Sequence, residues 1–75
     1  MKNFIESKAL LTKPPDRYLA RHSRSKDVLE RLSKDSNDVV RLNVAKNPNC
    51  PIEILERLSD DSDCYVRSHV ISNKN

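Results

Sequence analysis

Apolar positions recur along the chain with the spacing of short amphipathic helices. The apolar stripes of the central region comprise Val28, Leu29, Leu32, Val40 and Val44. Separations of one, three and four residues place such side chains on one face of a helix. The pattern predicts a helix near 26–34 and a second near 38–46, joined by a polar turn.

The same pattern returns 26 residues later. When residues 25–49 are aligned with residues 51–75, twelve of the 25 positions are identical, including a shared Leu-Glu-Arg-Leu-Ser block. A second pair of helices is therefore predicted near 52–60 and 63–72. Helices this short gain stability only by stacking on neighbours. The leucines expected to be largely buried are Leu29, Leu32, Leu55 and Leu58.

The N-terminal third is less regular and is predicted to be a capping unit. Apolar residues within 4–11 indicate a short helix, and Pro15 is suited to open another. Tyr18 and Leu19 are expected on the buried face of that helix. Terminal units of a stack are atypical because one side faces water.

The helix ends need a substitute for glycine, because the chain contains none. Asparagine is the usual replacement for glycine in the left-handed position after a helix. Asn47 and Asn73, and also His22, are therefore predicted to adopt that conformation.

These features predict an all-α fold in one domain, a short solenoid of two complete helix-pair repeats behind a degenerate N-terminal cap. The predicted boundaries are 1–24 for the cap, 25–50 for the first repeat and 51–75 for the second.

The run from Leu29 to Pro51, with its Val-Arg, Val-Ala and Asn-Pro-Asn steps, resembles the leucine-rich repeat variant family, a bacterial repeat close to HEAT-like units. A second copy extends from Leu55 to Asn75 without the alanine and the proline. The resemblance implies a right-handed solenoid of paired short helices, one of them often a 3₁₀-helix, and it implies no catalysis.

Solenoids mainly serve as extended binding surfaces, so the predicted function is a non-catalytic protein–protein interaction module. Its predicted interface is the final helix, where apolar side chains lack a following unit to cover them. These are Tyr65, Val66, Val70 and Ile71. Self-association or docking to a larger protein would cover them. In the competing arrangement, Val66 and Val70 turn inward onto the leucines of the preceding helix.

Charge supports an alternative function, nucleic-acid binding. The net charge of +3 is uneven, with +5 in residues 1–46 and −2 in residues 47–75. A basic face can attract phosphate. The candidate contacts are Arg17, Arg21, Arg24, Lys26, Arg41, Lys46 and Arg67.

Arg41 and Arg67 occupy the same place in the two repeats, and two interpretations are open. Each can form an ion pair with a neighbouring unit, which would make a structural ladder. The candidate acceptors are Asp35, Asp38, Asp61 and Asp63. Alternatively, the two arginines continue the basic face toward phosphate.

Enzyme and metal chemistry are not indicated. The four candidate ligands Cys50, Cys64, His22 and His69 lack zinc-site spacing, and no triad-like arrangement is evident. No catalytic, metal or cofactor site is therefore expected. No stretch reaches the ~20 apolar residues of a membrane span, and no signal-peptide segment follows Met1, so a cytoplasmic location is expected.

Overall fold

The computed structural model describes residues 14–74. They form five α-helices: α1 Asp16–His22, α2 Lys26–Leu32, α3 Asp38–Lys46, α4 Ile52–Leu58 and α5 Cys64–Ser72. This part of the chain contains no strand and no 3₁₀-helix. The all-α prediction is confirmed, and the bounds of α2 to α5 agree with the predicted helices to within two residues. The helix predicted within 4–11 lies outside the described residues.

Polar side chains fix where three of the helices begin. The side chain of Ser25 accepts a hydrogen bond from the Val28 N–H at 3.3 Å and caps α2. Asn37 caps α3 by accepting from the Val39 N–H at 2.9 Å. These acceptors satisfy N–H groups that have no partner within the helix. Asp63 caps α5 in the same way, whereas prolines precede α1 and α4.

The prediction for the helix ends was wrong. Every described residue has a negative φ. Asn47 has φ −73° and ψ 121°, Asn73 has φ −74° and ψ 134°, and His22 lies within α1 as its last residue. The chain therefore leaves each of these helices through extended backbone, which any residue can adopt, and the two asparagines serve another purpose.

The helices form two layers. In one layer α3 packs between α1 and α5, and these are the most extensive helix–helix contacts. In the other layer, α2 packs against α1 and α3, and α4 packs against α3 and α5. The helix predicted to open at Pro15 thus takes the place of the second helix of a unit. The right-handed sense of the solenoid stays a prediction.

The core follows the predicted stripes. The four leucines are between 0 and 4% exposed, so their prediction is confirmed. The expectation for Tyr18 was wrong, because Tyr18 is 55% exposed. Leu19 is partly buried against the core, and Ala20 is fully buried. The side of α1 that faces α3 is centred on Ala20, which leaves the Tyr18 ring to lie against His22 with centroids 4.5 Å apart.

Candidate functional surfaces

Arg41 on α3 links the two repeats. Its Nε donates to Oδ2 of Asp61 at 2.8 Å, and its Nη2 donates to Oδ1 of the same carboxylate at 3.2 Å. Its Nη1 donates to the Asp35 carbonyl oxygen at 2.7 Å. Side-chain exposure is 15% for Arg41 and 8% for Asp61. A bidentate arginine–carboxylate pair of this kind is strong and geometrically specific. The structural interpretation, an ion pair between neighbouring units, is therefore confirmed for Arg41.

The environment of Asp61 favours its ionised form. Burial by itself would raise the pKa of Asp61, but hydrogen bonds from Arg41 and from the Asp63 N–H outweigh burial and hold the pKa below its usual range. The pKa of Arg41 is raised, chiefly by its hydrogen bond to Asp61, and the charges of Asp38 and Asp63 act in the same direction. The pair is therefore fully charged at neutral pH.

We expect Asp61→Asn to destabilise the fold by about 1.5–3 kcal/mol at pH 7, because it removes the charged acceptor of Arg41. A carboxylate whose pKa is lowered by folding stabilises the native state above its unfolded pKa, near 3.8. That contribution is lost as the pH falls through the lower folded pKa. Urea unfolding at pH 7, 5, 4 and 2.5 should show the parent and variant curves converging. Asp60→Asn is the matched control, and parallel curves for parent and Asp61→Asn would contradict the assignment.

A second link joins α2 and α4. Nη1 of Arg57 lies 3.1 Å from Oε2 of Glu30, and its Nη2 donates to the hydroxyl of Ser33. Ser33 is only 4% exposed and donates in turn to the Glu30 carbonyl oxygen. Arg57 thereby connects the first helices of the two repeats.

The third link uses the two asparagines whose backbone was mispredicted. Nδ2 of the fully buried Asn47 donates to the carbonyl oxygens of Ala20 at 2.9 Å and Ser23 at 2.8 Å. Nδ2 of Asn73 donates to those of Ala45 at 2.7 Å and Asn47 at 2.9 Å. Each asparagine thus bonds carbonyls at the end of the preceding helix of its layer. The sequence signal for this contact was the recurrence of asparagine 26 residues apart, at positions 47 and 73.

The predicted basic residues differ in their surroundings. Arg21 and Lys46 line a cleft of about 250 Å³ together with Lys74, at the C-terminal ends of α1, α3 and α5. Arg41 is held by Asp61, and Nη1 of the exposed Arg67 donates to the Asp61 carbonyl oxygen at 2.6 Å. The remaining cations, which the cleft does not include, are the exposed Arg17, Arg24 and Lys26.

The predicted protein-binding surface on α5 is divided between core and solvent. Val66 is fully buried, which removes it from the predicted interface, and Val70 is half-buried. Both contact the core, as in the competing arrangement. Tyr65 is 68% exposed and Ile71 is 85% exposed.

Ile71 is exposed at a place where the preceding units bury their side chain. Ala20 and Ala45 are 0% exposed, and each carbonyl oxygen accepts from the asparagine of the next unit. Ile71 lies 26 residues after Ala45. We call the side of the molecule that carries Ile71, Arg67 and Glu56 the outer side. No element of residues 14–74 covers Ile71 there.

The two cysteines differ in their surroundings. Burial raises the pKa of the Cys50 thiol to about 11, so this sulfur is protonated, whereas Cys64 is exposed. Residues 14–74 contain no group of three or more histidine, cysteine, aspartate or glutamate side chains placed to hold a metal ion. Within the same residues, no helix has the length and apolar character needed to cross a bilayer.

Comparison with known proteins agrees with this architecture. Residues 39–63 match the family described as leucine rich repeat variant, a third of the chain. No curated protein and no solved structure matches. The matched segment runs from α3 to the cap of α5, and it contains the residues that link the units, Arg41, Asn47, Arg57 and Asp61. Residues 39–63 are therefore similar to the leucine rich repeat variant family, the family that the sequence motif predicted.

Proposed function

We propose that this chain is a non-catalytic protein-binding module that contacts its partner through two exposed side chains of α5, Tyr65 and Ile71. The supporting observation is the 85% exposure of Ile71 at a position where Ala20 and Ala45 are fully buried. A helical-repeat architecture offers extended surfaces for such contacts.

Apolar burial gives this surface its energetic value. Covering a large aliphatic side chain that was exposed contributes about 1.5–3 kcal/mol. Aromatic side chains such as Tyr65 are enriched at the centres of protein interfaces. Tyr65 and Ile71 lie near opposite ends of α5, so a partner that covers both must lie along the whole nine-residue helix.

Site-specific photo-crosslinking tests this proposal. With benzoylphenylalanine at position 71, we expect a discrete crosslinked protein in the cells that make the chain. The matched control places the probe at position 52, because Ile52 is also exposed, at 53%, but lies on α4. Adding Tyr65→Asp should abolish the product from position 71 and leave helicity by circular dichroism unchanged.

A product at twice 8.7 kDa would identify the partner as a second copy. Absence of a product from position 71, or equal products from positions 71 and 52, would refute the proposed interface.

The basic cleft supports nucleic-acid binding as a second candidate, because three cations line it at the ends of three helices: Arg21, Lys46 and Lys74. All three lie at or just beyond helix C-termini, where positive charge also stabilises the helix dipole. Retention on DNA that falls steeply with salt, and that is lost in an Arg21→Gln, Lys46→Gln double variant, would favour this candidate.

A further inference from the structure

The outer side of the molecule repeats the groups by which one unit holds the next. Nη1 of Arg67 donates to the Asp61 carbonyl oxygen at 2.6 Å, just as Nη1 of Arg41 donates to the Asp35 carbonyl oxygen at 2.7 Å. The Arg67 side chain is thus anchored to its own turn as Arg41 is. Arg41 also binds a carboxylate of the next unit, whereas no carboxylate of residues 14–74 pairs with Arg67.

The same comparison holds in the other layer. Glu30 and Ser33 receive Arg57 from the next unit. Their counterparts 26 residues later are Glu56 and Ser59, both exposed. Within residues 14–74, Glu56 has no cationic partner.

The outer side therefore offers a cation that is hydrogen-bonded to its own turn, an exposed anion and the apolar Ile71. Resting on the protein-binding function proposed above, we infer that the partner presents a helical-repeat unit of the same type to the outer side. Its turn presents an aspartate to Arg67 as Asp61 is presented to Arg41, and its first helix presents an arginine to Glu56.

The spacing of these groups specifies the partner further. Arg57 and Asp61 are four residues apart, so the partner carries Arg-x-x-x-Asp where its first helix gives way to its second. Ile71 is larger than Ala45, its counterpart, so the partner also has a recess at that contact. The partner is thus recognised by two ion pairs, one made by Arg67 and one made by Glu56, and by an apolar contact with Ile71.

A chain extended by one unit tests the inference. A copy of residues 50–75 is fused after Asn75, in the parent and in an Ile71→Ala background that reproduces the small residue of the preceding units. If the outer side accepts a repeat unit, we expect the melting temperature to rise by about 4 °C or more in at least one background. No rise in either background would overturn the inference.

Charge substitutions show whether the predicted contact forms. Arg67→Gln should lower the melting temperature more in the extended chain than in the parent, and the difference should disappear when the fused copy of Asp61 is asparagine. Asparagine at the fused copy of Asp60 is the matched control. A gain independent of Arg67 and of that aspartate would overturn the inference.

A competition arm separates this inference from the proposed function. The fused unit should block the partner that crosslinks to position 71, and the partner's sequence should contain Arg-x-x-x-Asp between two short helices. A crosslink that persists, or a partner without the motif, would overturn the inference while leaving a protein-binding function in place. Absence of any crosslink would refute both.

Discussion

Asn47→Ala will destabilise the protein by about 3–6 kcal/mol, because it removes three hydrogen bonds from a fully buried place. Its Nδ2 donates to the carbonyl oxygens of Ala20 and Ser23, and its Oδ1 accepts from the Asn49 N–H at 2.8 Å. A domain of 75 residues has about 4–11 kcal/mol of stability in total. Urea unfolding followed by circular dichroism should show the midpoint of the variant at a much lower urea concentration than that of the parent.

Two further variants make this result specific. Asn47→Asp keeps the shape but replaces the donating amide with an acceptor that faces two carbonyl oxygens, so it should be at least as damaging at pH 7. Asn43→Ala is the matched control within α3, the helix that Asn47 follows, since the amide of Asn43 donates to the Val39 carbonyl oxygen on the surface. Asn47→Ala unfolding at the same denaturant concentration as Asn43→Ala would show that the inter-unit hydrogen bonds do not hold the stack together.

Asn47 also shows where the sequence could and could not predict the structure. Its position after a helix was evident from the 26-residue repeat and from the following Pro48. Its conformation was mispredicted because a local rule, the left-handed cap, was applied to a side chain with a long-range partner. The carbonyls that it binds belong to residues 24 and 27 positions earlier. Only the packing of α1 on α3 brings them within reach.

The ion pair between Arg41 and Asp61 was only partly predictable, because it too depends on how the units stack. Recurrence of Arg41 and Arg67 indicated a structural role, and four aspartates were open as acceptors. The choice of Asp61 depends on the offset between stacked units, which periodicity alone does not give. The burial of the leucine stripes was fully predictable, because it follows from helical spacing within each element.

Tyr18 and Val66 show that burial could not be predicted from the sequence for the helices at the two ends of the stack. Among residues 14–74, each of these side chains lies on a helix that contacts one neighbour in its layer. Which side of such a helix faces water depends on that neighbour. Tyr18 was expected to be buried and is exposed, whereas Val66 was assigned to an exposed interface and is buried.

Leu55→Ala should cost about 2–5 kcal/mol, the usual range for deleting a buried leucine side chain. Leu55 is 4% exposed and belongs to the one core cluster found among the described residues. It lies on α4, a helix of seven residues that is too short to persist alone and is held through its contacts with α3 and α5. Releasing α4 also releases Arg57, so the link to Glu30 is lost with it.

The loss should therefore appear as a single cooperative transition at much lower denaturant concentration, measured by urea unfolding with circular dichroism. Leu55→Met is the volume-matched control and should cost less than about 1.5 kcal/mol. Ile52→Ala, on the exposed side of the same helix, should change stability by no more than about 0.5 kcal/mol. If Leu55→Ala melts within a few degrees of the parent, then α4 is not held by its apolar stripe. In that case the polar links, Arg57 to Glu30 and Arg41 to Asp61, would have to hold the two repeats together.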